Sequence, residues 1–251
     1  MTTSAPVPAL DRDLIARLRF DVIAASWTTD TLETLLSDGA LSALMRDSRL
    51  PALVELAGVT DPAATLTRFF VLGQPERASA LDAALLTLGA CGLGSLGLAA
   101  TIDEAEAASA LVMPRAGGAP KREPKEECEE ALSPQASSLP TMRDPDEDAP
   151  ELEVAEDPWM RALFDLRPHA ATLPDGDHEW WVTSDLGEVQ TGKPLADDHV
   201  LGIGGATLTL LEMTVRERVD SALDVGCGCG IQALYLATHA GRVVATDLSA
   251  R

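Results

Sequence analysis

The sequence predicts an α/β chain, in which a mostly helical, winged-helix-like N-terminal domain precedes the beginning of a parallel sheet. Apolar side chains recur at helical spacing from about residue 9 to residue 90. Proline and acidic residues dominate from about residue 114 to residue 157 and separate the helical part from the rest. Near the C-terminus, two short apolar runs flank a glycine-rich turn and a helical pattern, which is the order expected of a parallel strand–helix–strand crossover.

Caps and apolar stripes predict the N-terminal helices in order. The run from Leu10 to Ala24 is apolar at helical spacing and predicts the first helix. Asp30 and Glu33 have the spacing of a capping box, so the second helix is predicted to begin at Asp30. Asp61 directly precedes a proline, and this pair predicts another helix that begins there.

Two further segments complete the predicted helical domain, residues 1–112. Glu76 to Leu88 carries another apolar stripe, and Gly89 to Leu98 predicts a short turn or helix interrupted by glycines. Helices followed by strand-like pieces suggest a winged helix, a unit that often binds DNA. The stretch from Leu88 to Val112 contains no Lys or Arg, although basic side chains are what hold phosphates and guanines. We therefore expect no DNA binding by this domain and favour packing or dimerisation, with a homodimer as one outcome.

Residues 113–157 are predicted to be a disordered acidic insert. Prolines interrupt the segment throughout, and runs such as Asp146-Glu147-Asp148 dominate what remains. A segment with high charge and few apolar side chains cannot offset the entropy lost when the chain becomes ordered. An acidic tail that binds a partner is the alternative interpretation.

Residues 158–190 are predicted to form a β-hairpin that completes the N-terminal domain across the insert. Arg161–Arg167 and Glu179–Asp185 have the composition of strands, and a proline–aspartate–glycine turn separates them. Trp180 and Trp181 are adjacent in a predicted strand, so one of them should face the core. We interpret both as packing residues rather than as a platform on which a substrate stacks.

Composition and charge restrict the partners and the location. The formal net charge is -21, and a surface this acidic repels phosphate backbones, which argues against sequence-independent nucleic-acid binding. No apolar run reaches the length of about 18 residues that suggests a membrane span, and the first residues lack the regions of a signal peptide. We expect no membrane association and a cytoplasmic location. The scattered cysteines do not form a disulfide framework, and Cys227-x-Cys229 lacks partner ligands, so no metal site is predicted.

Residues 191–251 are predicted to begin the parallel sheet. Gly204 and Gly205 lie just ahead of a helical pattern that extends from Leu208 to Val215. Glycines at a helix start allow the backbone to approach a ligand, but they also suit a tight linker, and both interpretations stay open. His199 has no catalytic partner visible in the sequence, so we interpret it as a capping or hydrogen-bonding residue.

The crossover itself is predicted piece by piece. Its parts are a buried strand over Ser221–Val225, a turn with Gly226, Gly228 and Gly230, a helix over Ile231–His239 with a C-cap at Ala240–Gly241, and a second parallel strand over Arg242–Thr246. Ligands bind beyond the carboxyl ends of parallel strands, and glycines leave room for them there. Asp247 follows the second strand, close to the separation of about 20 residues expected of a carboxylate that binds ribose hydroxyls.

Two cofactors compete for this pattern. A dinucleotide needs G-x-G-x-x-G/A, which Gly228, Gly230 and Ala233 satisfy, but that register leaves Asp224 unpaired inside a buried strand at a high cost of desolvation. The other register ends the strand at Val225 and places Asp224 at the rim of the sheet, where its carboxylate can order the turn or face a cationic ligand. S-adenosylmethionine is such a ligand, because it carries an ammonium and a sulfonium and has no phosphate.

The segment Leu223–Gly230, followed by Val244–Ser249, resembles motif I and the acidic loop of class I S-adenosylmethionine-dependent methyltransferases. The longer stretch from His199 to Ser249 is similar to actinobacterial methyltransferases of the small-methyltransferase-domain group. These are related to the glutamine N5-methyltransferases of release factors and to some ribosomal RNA guanine methyltransferases. The resemblance implies a helical, winged-helix-like N-terminal domain and a Rossmann-like, doubly wound parallel sheet.

The resemblance also implies a cofactor site and a reaction. Asp224, Gly226, Gly228 and Gly230 would line the methionine and ribose portion of S-adenosylmethionine, and Asp247 would bind the ribose hydroxyls. The methyl acceptor would be a nitrogen of a protein or RNA. In such methyltransferases an Asn-Pro-Pro-Tyr type motif after the fourth strand holds the target nitrogen, and this sequence contains no such motif. No residue is therefore assigned as catalytic.

We expect the sequence to be the front part of a longer enzyme, with an incomplete sheet, a partial pocket and no activity of its own. Two parallel strands by themselves would leave an unpaired edge and an uncovered apolar face, which predicts poor order over about residues 220–251. A catalytically incomplete module for binding or dimerisation is the alternative interpretation. A dinucleotide-binding protein is the weakest of the three hypotheses.

Overall fold

The computed structural model describes residues 7–46, 48–111 and 156–249 of the chain. These residues form short helices and small sheets, which agrees with the predicted α/β class at that level. The disordered insert predicted over residues 113–157 lies outside the described residues, except for its last two positions.

Short helices and three strands build the N-terminal part. The helices are α1 (Arg12–Ala24), α2 (Thr29–Leu35), α3 (Asp38–Leu44), α4 (Leu50–Glu55), α5 (Pro62–Leu66), α6 (Ala78–Ala84), α7 (Gly89–Ser95) and α8 (Glu104–Ala110), and the strands are β1 (Glu76–Arg77), β2 (Ala99–Ile102) and β3 (Trp159–Ala162). The predicted first helix is confirmed as α1. Asp61 caps α5 as predicted, because its carboxylate accepts the N–H groups of Ala63 and Ala64 behind the proline at the first position.

Two helix starts differ from the prediction. The N-cap of α2 is Thr28 rather than Asp30, because the Thr28 hydroxyl accepts the N–H of Thr31 at 3.2 Å. Asp30 lies inside the first turn instead, where its charge suits the positive end of the helix dipole. The predicted helix from Glu76 onward begins only at Ala78, because Glu76 and the next residue pair with β3.

The segment that follows the insert completes the N-terminal sheet. The sheet order is β1-β3-β2, so β3 is its central strand and pairs antiparallel with both neighbours. Arg161 and Ala162 therefore belong to this sheet rather than to the hairpin for which they were predicted. The chain turns at Leu163, whose N–H donates to the Leu98 carbonyl at 2.9 Å, and only then enters the hairpin.

The predicted β-hairpin is confirmed and forms a two-stranded sheet of its own. Its strands are β4 (Phe164–Leu173) and β5 (Gly176–Asp185), which pair antiparallel over their whole length. Trp181 packs against the N-terminal core and donates its indole N–H to the Trp27 carbonyl at 2.8 Å. Trp180 packs on the opposite face, against the second hydrophobic cluster, so the two tryptophans are packing residues on different faces.

One large hydrophobic core lies within the N-terminal part. Trp27, Leu66, Phe69 and Phe70 are fully buried in it. The Trp27 indole N–H donates to the Thr67 hydroxyl at 3.0 Å, and its ring stacks on Phe70 with centroids 5.8 Å apart. The helix that begins with α5 widens into a π-helical turn over Thr67–Val71, which turns both phenylalanines into this core.

The C-terminal part carries the predicted crossover. Its elements are α9 (Glu188–Thr191), α10 (Gly205–Met213), β6 (Ala222–Val225), α11 (Ile231–Ala237) and β7 (Val243–Thr246). Strands β6 and β7 run parallel and pair from Ala222 with Val243 to Val225 with Thr246. The described part of this sheet has these two strands, so the doubly wound sheet stays a prediction.

Two details of the crossover were predicted wrongly. Strand β6 is not buried, because Leu223 is 62% and Val225 is 76% exposed. Helix α11 does not end on a glycine cap at Ala240–Gly241, since its C-cap is Thr238 in the right-handed conformation. Gly241 serves close packing instead, because a Cβ there would lie 3.1 Å from the carbonyl oxygen of Asp220.

Among the described residues, no single helix is long and apolar enough to span a membrane. Helices α6 and α7 pass the length and composition criterion only when taken together, and the chain bends by 98° between them. Leu81 and Leu85 of this pair are buried in the N-terminal core.

Candidate functional site

The glycine turn after β6 is built from left-handed residues. Gly226, Gly228 and Gly230 have φ values of 75°, 49° and 79°, a region that side chains disfavour and glycine accepts. The N–H groups of Gly226 and Cys227 donate to the Thr246 carbonyl at 2.8 and 3.0 Å, which ties the turn to the end of β7. A Cβ at Gly226 or Gly230 would meet no atom within 4 Å, so the conformation rather than crowding requires glycine, and the space beside the turn is open.

Asp247 lies where the sequence predicts it, at the carboxyl end of β7. Its Oδ2 accepts the Gly228 N–H at 2.8 Å and its Oδ1 accepts the Ser249 N–H at 3.0 Å. These hydrogen bonds, first that of Ser249 and then that of Gly228, lower the pKa of the carboxyl group. The side chain is therefore a charged carboxylate at neutral pH, and each oxygen retains a lone pair for a ligand hydroxyl.

The sequence suggested that Asp224 lies at an open rim, but the structure buries it in strand β6. The strand ends at Val225 as predicted, but α11 packs across it and leaves Asp224 only 8% exposed. Burial raises the pKa of this carboxyl, against a smaller lowering by the hydrogen bond from the Ala233 N–H, and the charge of Asp247 raises it further. Among the described residues, Oδ2 of Asp224 has no hydrogen-bond partner.

A cavity of about 610 Å³ opens beside the turn. We call it the first cavity; Gly226, Gly228 and Asp247 form one wall, and the segment from Asp197 to Gly202 with part of α10 forms the other. The structure thus brings three of the predicted site residues together. Asp224 and Gly230 do not line the cavity; the former lies beneath α11, and the latter is the N-cap of that helix.

The predicted glycines at the start of α10 are placed differently. Gly204 is the N-cap of α10 and lines a second cavity, whereas Gly205 lines neither. Gly202 lines both cavities. A Cβ on Gly202 would lie 2.8 Å from the Ser184 hydroxyl, so a side chain at this position would have to displace that hydroxyl.

Comparison with known proteins bears on the N-terminal part alone. Residues 24–110 match a family model described as "Domain of unknown function (DUF7059)". No curated protein matches the chain, and no solved structure matches it. The matched segment covers helices α2–α8 and strands β1 and β2, and it ends before the glycine turn.

The first cavity has an acidic lining. Asp197, Asp198 and Asp247 border it, and none of the lining residues is a lysine or an arginine. Gln232 borders it from α11 and donates its side-chain amide to the Thr207 carbonyl at 3.1 Å. The potential inside this cavity is therefore negative, which favours cationic ligands and opposes phosphates.

Sequence reasoning did not select Asp197 and Asp198 as candidate site residues. A signal was present, because two adjacent acids stand just ahead of a glycine-rich segment. Their place opposite the turn depends on a tertiary contact: the Val200 N–H donates to the Asp185 carboxylate at 2.8 Å, and the Asp185 N–H donates to the Val200 carbonyl at 3.0 Å. This reciprocal pair anchors the wall of the cavity to the end of β5.

The two turn cysteines also border the first cavity. Cys227 and Cys229 are free thiols, and burial raises the pKa of both, so they are protonated at neutral pH. Among the described residues, no group of three or more His, Cys, Asp or Glu side chains could hold a metal ion. The thiols thus act as small apolar lining of the turn.

The hairpin holds helix α11 and therefore the turn. The Tyr235 hydroxyl lies 2.8 Å from Nε2 of His169 on β4. The Trp180 ring lies 5.2 Å from the Tyr235 ring and stacks on His178 at 5.1 Å, centroid to centroid. Burial lowers the pKa of His169, which favours the neutral imidazole in this contact. Strands that follow the insert thus position the glycine turn.

Proposed function

We propose that the first cavity binds S-adenosylmethionine and that the chain is part of an S-adenosylmethionine-dependent methyltransferase that acts on a nitrogen of a protein or RNA. One observation carries the proposal. A parallel crossover with a left-handed glycine turn borders a cavity that has three aspartates and no basic side chain. S-adenosylmethionine suits such a cavity, because its sulfonium and ammonium give it an excess of positive charge and it has no phosphate.

The same charges argue against a dinucleotide. The pyrophosphate of a dinucleotide is bound at a glycine turn by backbone N–H groups, and carboxylates clustered around it repel it. Here Asp247 already accepts the Gly228 N–H, and Asp197 and Asp198 face the turn across the cavity. A bound pyrophosphate would lie among these carboxylates with no lysine or arginine of the lining to offset them.

Each site residue has a proposed role. The backbone of Gly226 and Gly228 would lie against the methionine part of the cofactor, and Asp247 would accept hydrogen bonds from the ribose hydroxyls. Asp224 would act from beneath, where its unpartnered oxygen adds negative charge that attracts the ammonium group. Gly230 would shape the turn through its left-handed conformation. Gly205 lines neither cavity, and we leave it out of the proposed site.

The chemistry proposed is in-line transfer of the methyl group from sulfur to nitrogen. Catalysis of this kind depends on positioning the two reactants and on the electrostatic environment of the sulfonium. The residues described here bind and orient the donor. We propose, following the resemblance, that β6, α11 and β7 begin a doubly wound sheet and that the acceptor is held outside these residues.

Calorimetric titration of the chain with S-adenosylmethionine and, separately, with NADH tests the proposal. The described sheet beside this cavity has two strands, so we expect weak but saturable binding of S-adenosylmethionine and at least about tenfold weaker binding of NADH. Asp247→Asn should weaken S-adenosylmethionine binding by about tenfold or more, because one charge-assisted acceptor for the ribose is lost. Asp220→Asn is the matched control; it removes the same charge from an exposed residue that precedes β6 and lines no cavity.

Two results would contradict the proposal. One is NADH binding as tight as that of S-adenosylmethionine. The other is equal weakening of S-adenosylmethionine binding by Asp247→Asn and Asp220→Asn. Equal weakening would mean that the affinity depends on the net charge of the chain rather than on the site. A circular dichroism spectrum of each variant shows whether the fold is retained.

A module for protein contacts is the second candidate, and one surface favours it. Phe20 on α1 is 62% exposed and Leu86 is 78% exposed. Each flanks the same tertiary contact, in which Asp21 accepts the N–H groups of Thr87 and Leu88. If this surface mediates self-association, analytical ultracentrifugation of the chain shows a dimer that Phe20→Ser dissociates. A monomer at all concentrations would exclude self-association through this surface.

A further inference from the structure

The second cavity, of about 480 Å³, lies across the His199–Gly202 segment from the first one. Its lining comes from the N-terminal helices, from the hairpin and from α9. Its volume falls within the range of about 300–1,000 Å³ that is typical of small-molecule sites. The proposed cofactor does not account for it, because the cofactor would occupy the other side of the segment.

Arg49 is the cationic group of this cavity that lacks an acidic partner. Its guanidinium is partly buried, and burial lowers its pKa, although arginine stays protonated in proteins. Nη1 donates to the Leu72 carbonyl at 2.6 Å. Among the described residues, no carboxylate forms an ion pair with Arg49. A desolvated cation without an anion is costly, so a ligand that supplied one would be held strongly.

The fold is shaped to hold this guanidinium in place. Gly73 adopts a φ of 63°, and a Cβ there would lie 3.1 Å from the Gln190 Cβ and 3.5 Å from Nη1 of Arg49. Gln190 packs beside it and donates its side-chain amide to the Val71 carbonyl at 2.8 Å and to the Asp165 carboxylate at 2.9 Å. The left-handed glycine, the Leu72 carbonyl and the anchored Gln190 side chain thus position Arg49 against the cavity.

The remaining charged groups of the lining already have partners within the fold. Asp165 accepts Nε of Arg167 at 2.7 Å as well as the Gln190 amide. Asp185 accepts the Val200 N–H at 2.8 Å and lies 3.8 Å from Nδ1 of His199. Glu188 accepts the Leu195 N–H at 3.3 Å. Arg49 therefore stands apart from the other ionised side chains of the cavity.

We propose that the second cavity is a binding site for a small molecule with one oxyanion group, a carboxylate or a phosphate monoester, which pairs with the Arg49 guanidinium. The planar fork of arginine binds both oxyanions through two parallel hydrogen bonds. Three carboxylates of the same lining exclude polyanions such as pyrophosphate and nucleoside triphosphates, because each further negative charge meets them. Leu44, Val71 and Leu195 offer apolar surface to the remainder of the ligand.

The test uses the whole chain, labelled with ¹⁵N, and three probes: acetate, inorganic phosphate and pyrophosphate. Each is added at constant ionic strength maintained with chloride, and backbone amide shifts are followed. We expect acetate or phosphate to shift the amides of Gly73, Gln190 and Gly187 saturably, with the stronger of the two identifying the oxyanion. Pyrophosphate should bind more weakly than that probe.

Arg49→Gln and Arg46→Gln form the matched pair of variants. Both remove one positive charge from the same short stretch, but Arg46 is exposed and lines neither cavity. Arg49→Gln should weaken binding at least about tenfold, as expected for loss of a charge-assisted hydrogen-bonded pair, whereas Arg46→Gln should leave it within about twofold. Arg49→Lys keeps the charge without the fork and should give an intermediate affinity.

Three outcomes overturn the proposal: no saturable shift with either single anion, equal weakening by the two glutamine variants, or tightest binding of pyrophosphate. If Arg49→Gln fails to fold, Arg49→Lys and the pyrophosphate comparison still decide. The inference is independent of the proposed cofactor, because S-adenosylmethionine would shift the amides of Gly226 and Gly228 instead. Failure at one cavity therefore leaves the other unaffected.

Discussion

The N-terminal core and the C-terminal crossover of this chain differ in which side chains they bury. The N-terminal helices enclose fully buried side chains such as Leu66, Phe69 and Phe70. The crossover leaves Leu223 and Val225 exposed on its first strand, yet it buries the carboxylate of Asp224. Packing therefore stabilises the first region, whereas the second presents open backbone, left-handed glycines and clustered carboxylates, features that cost stability and suit a ligand.

The contact between the two regions is small and specific. The hairpin strand β4 meets α11 through His169 and Tyr235, beside Trp180. The cluster around this contact contains few fully buried side chains compared with the N-terminal core. The crossover is thus the part of the molecule that should open first, and ligand binding should stabilise it most.

The largest expected effect sharpens the contrast in packing. Phe69→Ala should lower the free energy of unfolding by about 3–5 kcal/mol, because it opens a cavity in the fully buried core. Leu223→Ala, on the exposed strand β6, should change it by less than about 0.5 kcal/mol. Urea unfolding followed by tryptophan fluorescence measures both. Equal losses would show that β6 is as tightly packed as the core and would break the comparison.

Asp224→Asn tests whether the buried charge of Asp224 lowers the stability of the crossover. Because burial raises the pKa of Asp224, the folded crossover holds this proton more tightly than the unfolded chain does. The stability that the protonated Asp224 gives to the crossover is therefore fully present below the ordinary pKa of 3.8. It is lost as the pH rises through the higher pKa that Asp224 has in the folded chain. Asn carries no charge, so the variant should stabilise the ligand-free crossover at pH 7 by on the order of 1 kcal/mol and remove this pH dependence.

Hydrogen exchange of the α11 amides, corrected for intrinsic rates, measures the effect of Asp224→Asn. The same variant should bind S-adenosylmethionine more weakly. Asp220→Asn is the control and should change neither property, because its side chain is exposed. Faster exchange in Asp224→Asn would show that the buried carboxylate stabilises the crossover rather than weakening it.

Tyr235→Phe tests the contact that joins the two regions. The change removes only the hydroxyl that lies 2.8 Å from His169, so the crossover should lose about 1 kcal/mol against local opening while the N-terminal core is unchanged. Burial lowers the pKa of His169, so the unfolded chain takes up a proton before the folded one does. Stability from this contact is therefore present above the ordinary pKa of 6.5 and is lost as the pH falls toward the lower folded value.

Site-resolved hydrogen exchange between pH 5 and pH 8 follows this loss. His169→Gln should abolish the pH dependence, whereas His178→Gln should keep it, because His178 pairs with the exposed Asp175. Identical profiles for the two histidine variants would contradict the assignment of the contact to His169.

The smallest difference between paired variants is expected at the start of α2. Thr28→Ala should cost about 1 kcal/mol, since the hydroxyl caps the Thr31 N–H. Asp30→Ala should cost only a few tenths of a kcal/mol, because this carboxylate acts through the helix dipole alone. Thermal unfolding compares them, and a larger loss with Asp30→Ala would restore the capping box that the sequence suggested.

Much of the fold follows from local sequence signals. Asp61 with its proline gives the start of α5, and the apolar run after Leu10 gives α1. The capping box at Asp30 fails because the helix begins one residue earlier, at Thr29, with Thr28 as its N-cap, which places Asp30 inside the first turn. The burial of β6 was also predicted wrongly, because apolar composition shows which residues could be buried and not whether other strands cover them.

The candidate site was predicted in part. Gly226, Gly228 and Asp247 were selected from their spacing and from the resemblance to methyltransferases, and the structure gathers them around one cavity. The facing wall was not found, because the segment that carries Asp197 and Asp198 is held beside the cavity by tertiary contacts, among them the one between Val200 and Asp185 at the end of β5. Long-range contacts of this kind leave no periodic trace in a sequence.

The central claim is that the acidic first cavity holds an adenosyl sulfonium ligand. Amide hydrogen exchange over residues 222–249, with and without saturating S-adenosylmethionine, tests it most directly. We predict slower exchange at Gly226, Cys227 and Gly228 with this ligand and no change with NADH. Unchanged exchange at the turn with S-adenosylmethionine, or equal protection by NADH, would contradict the account.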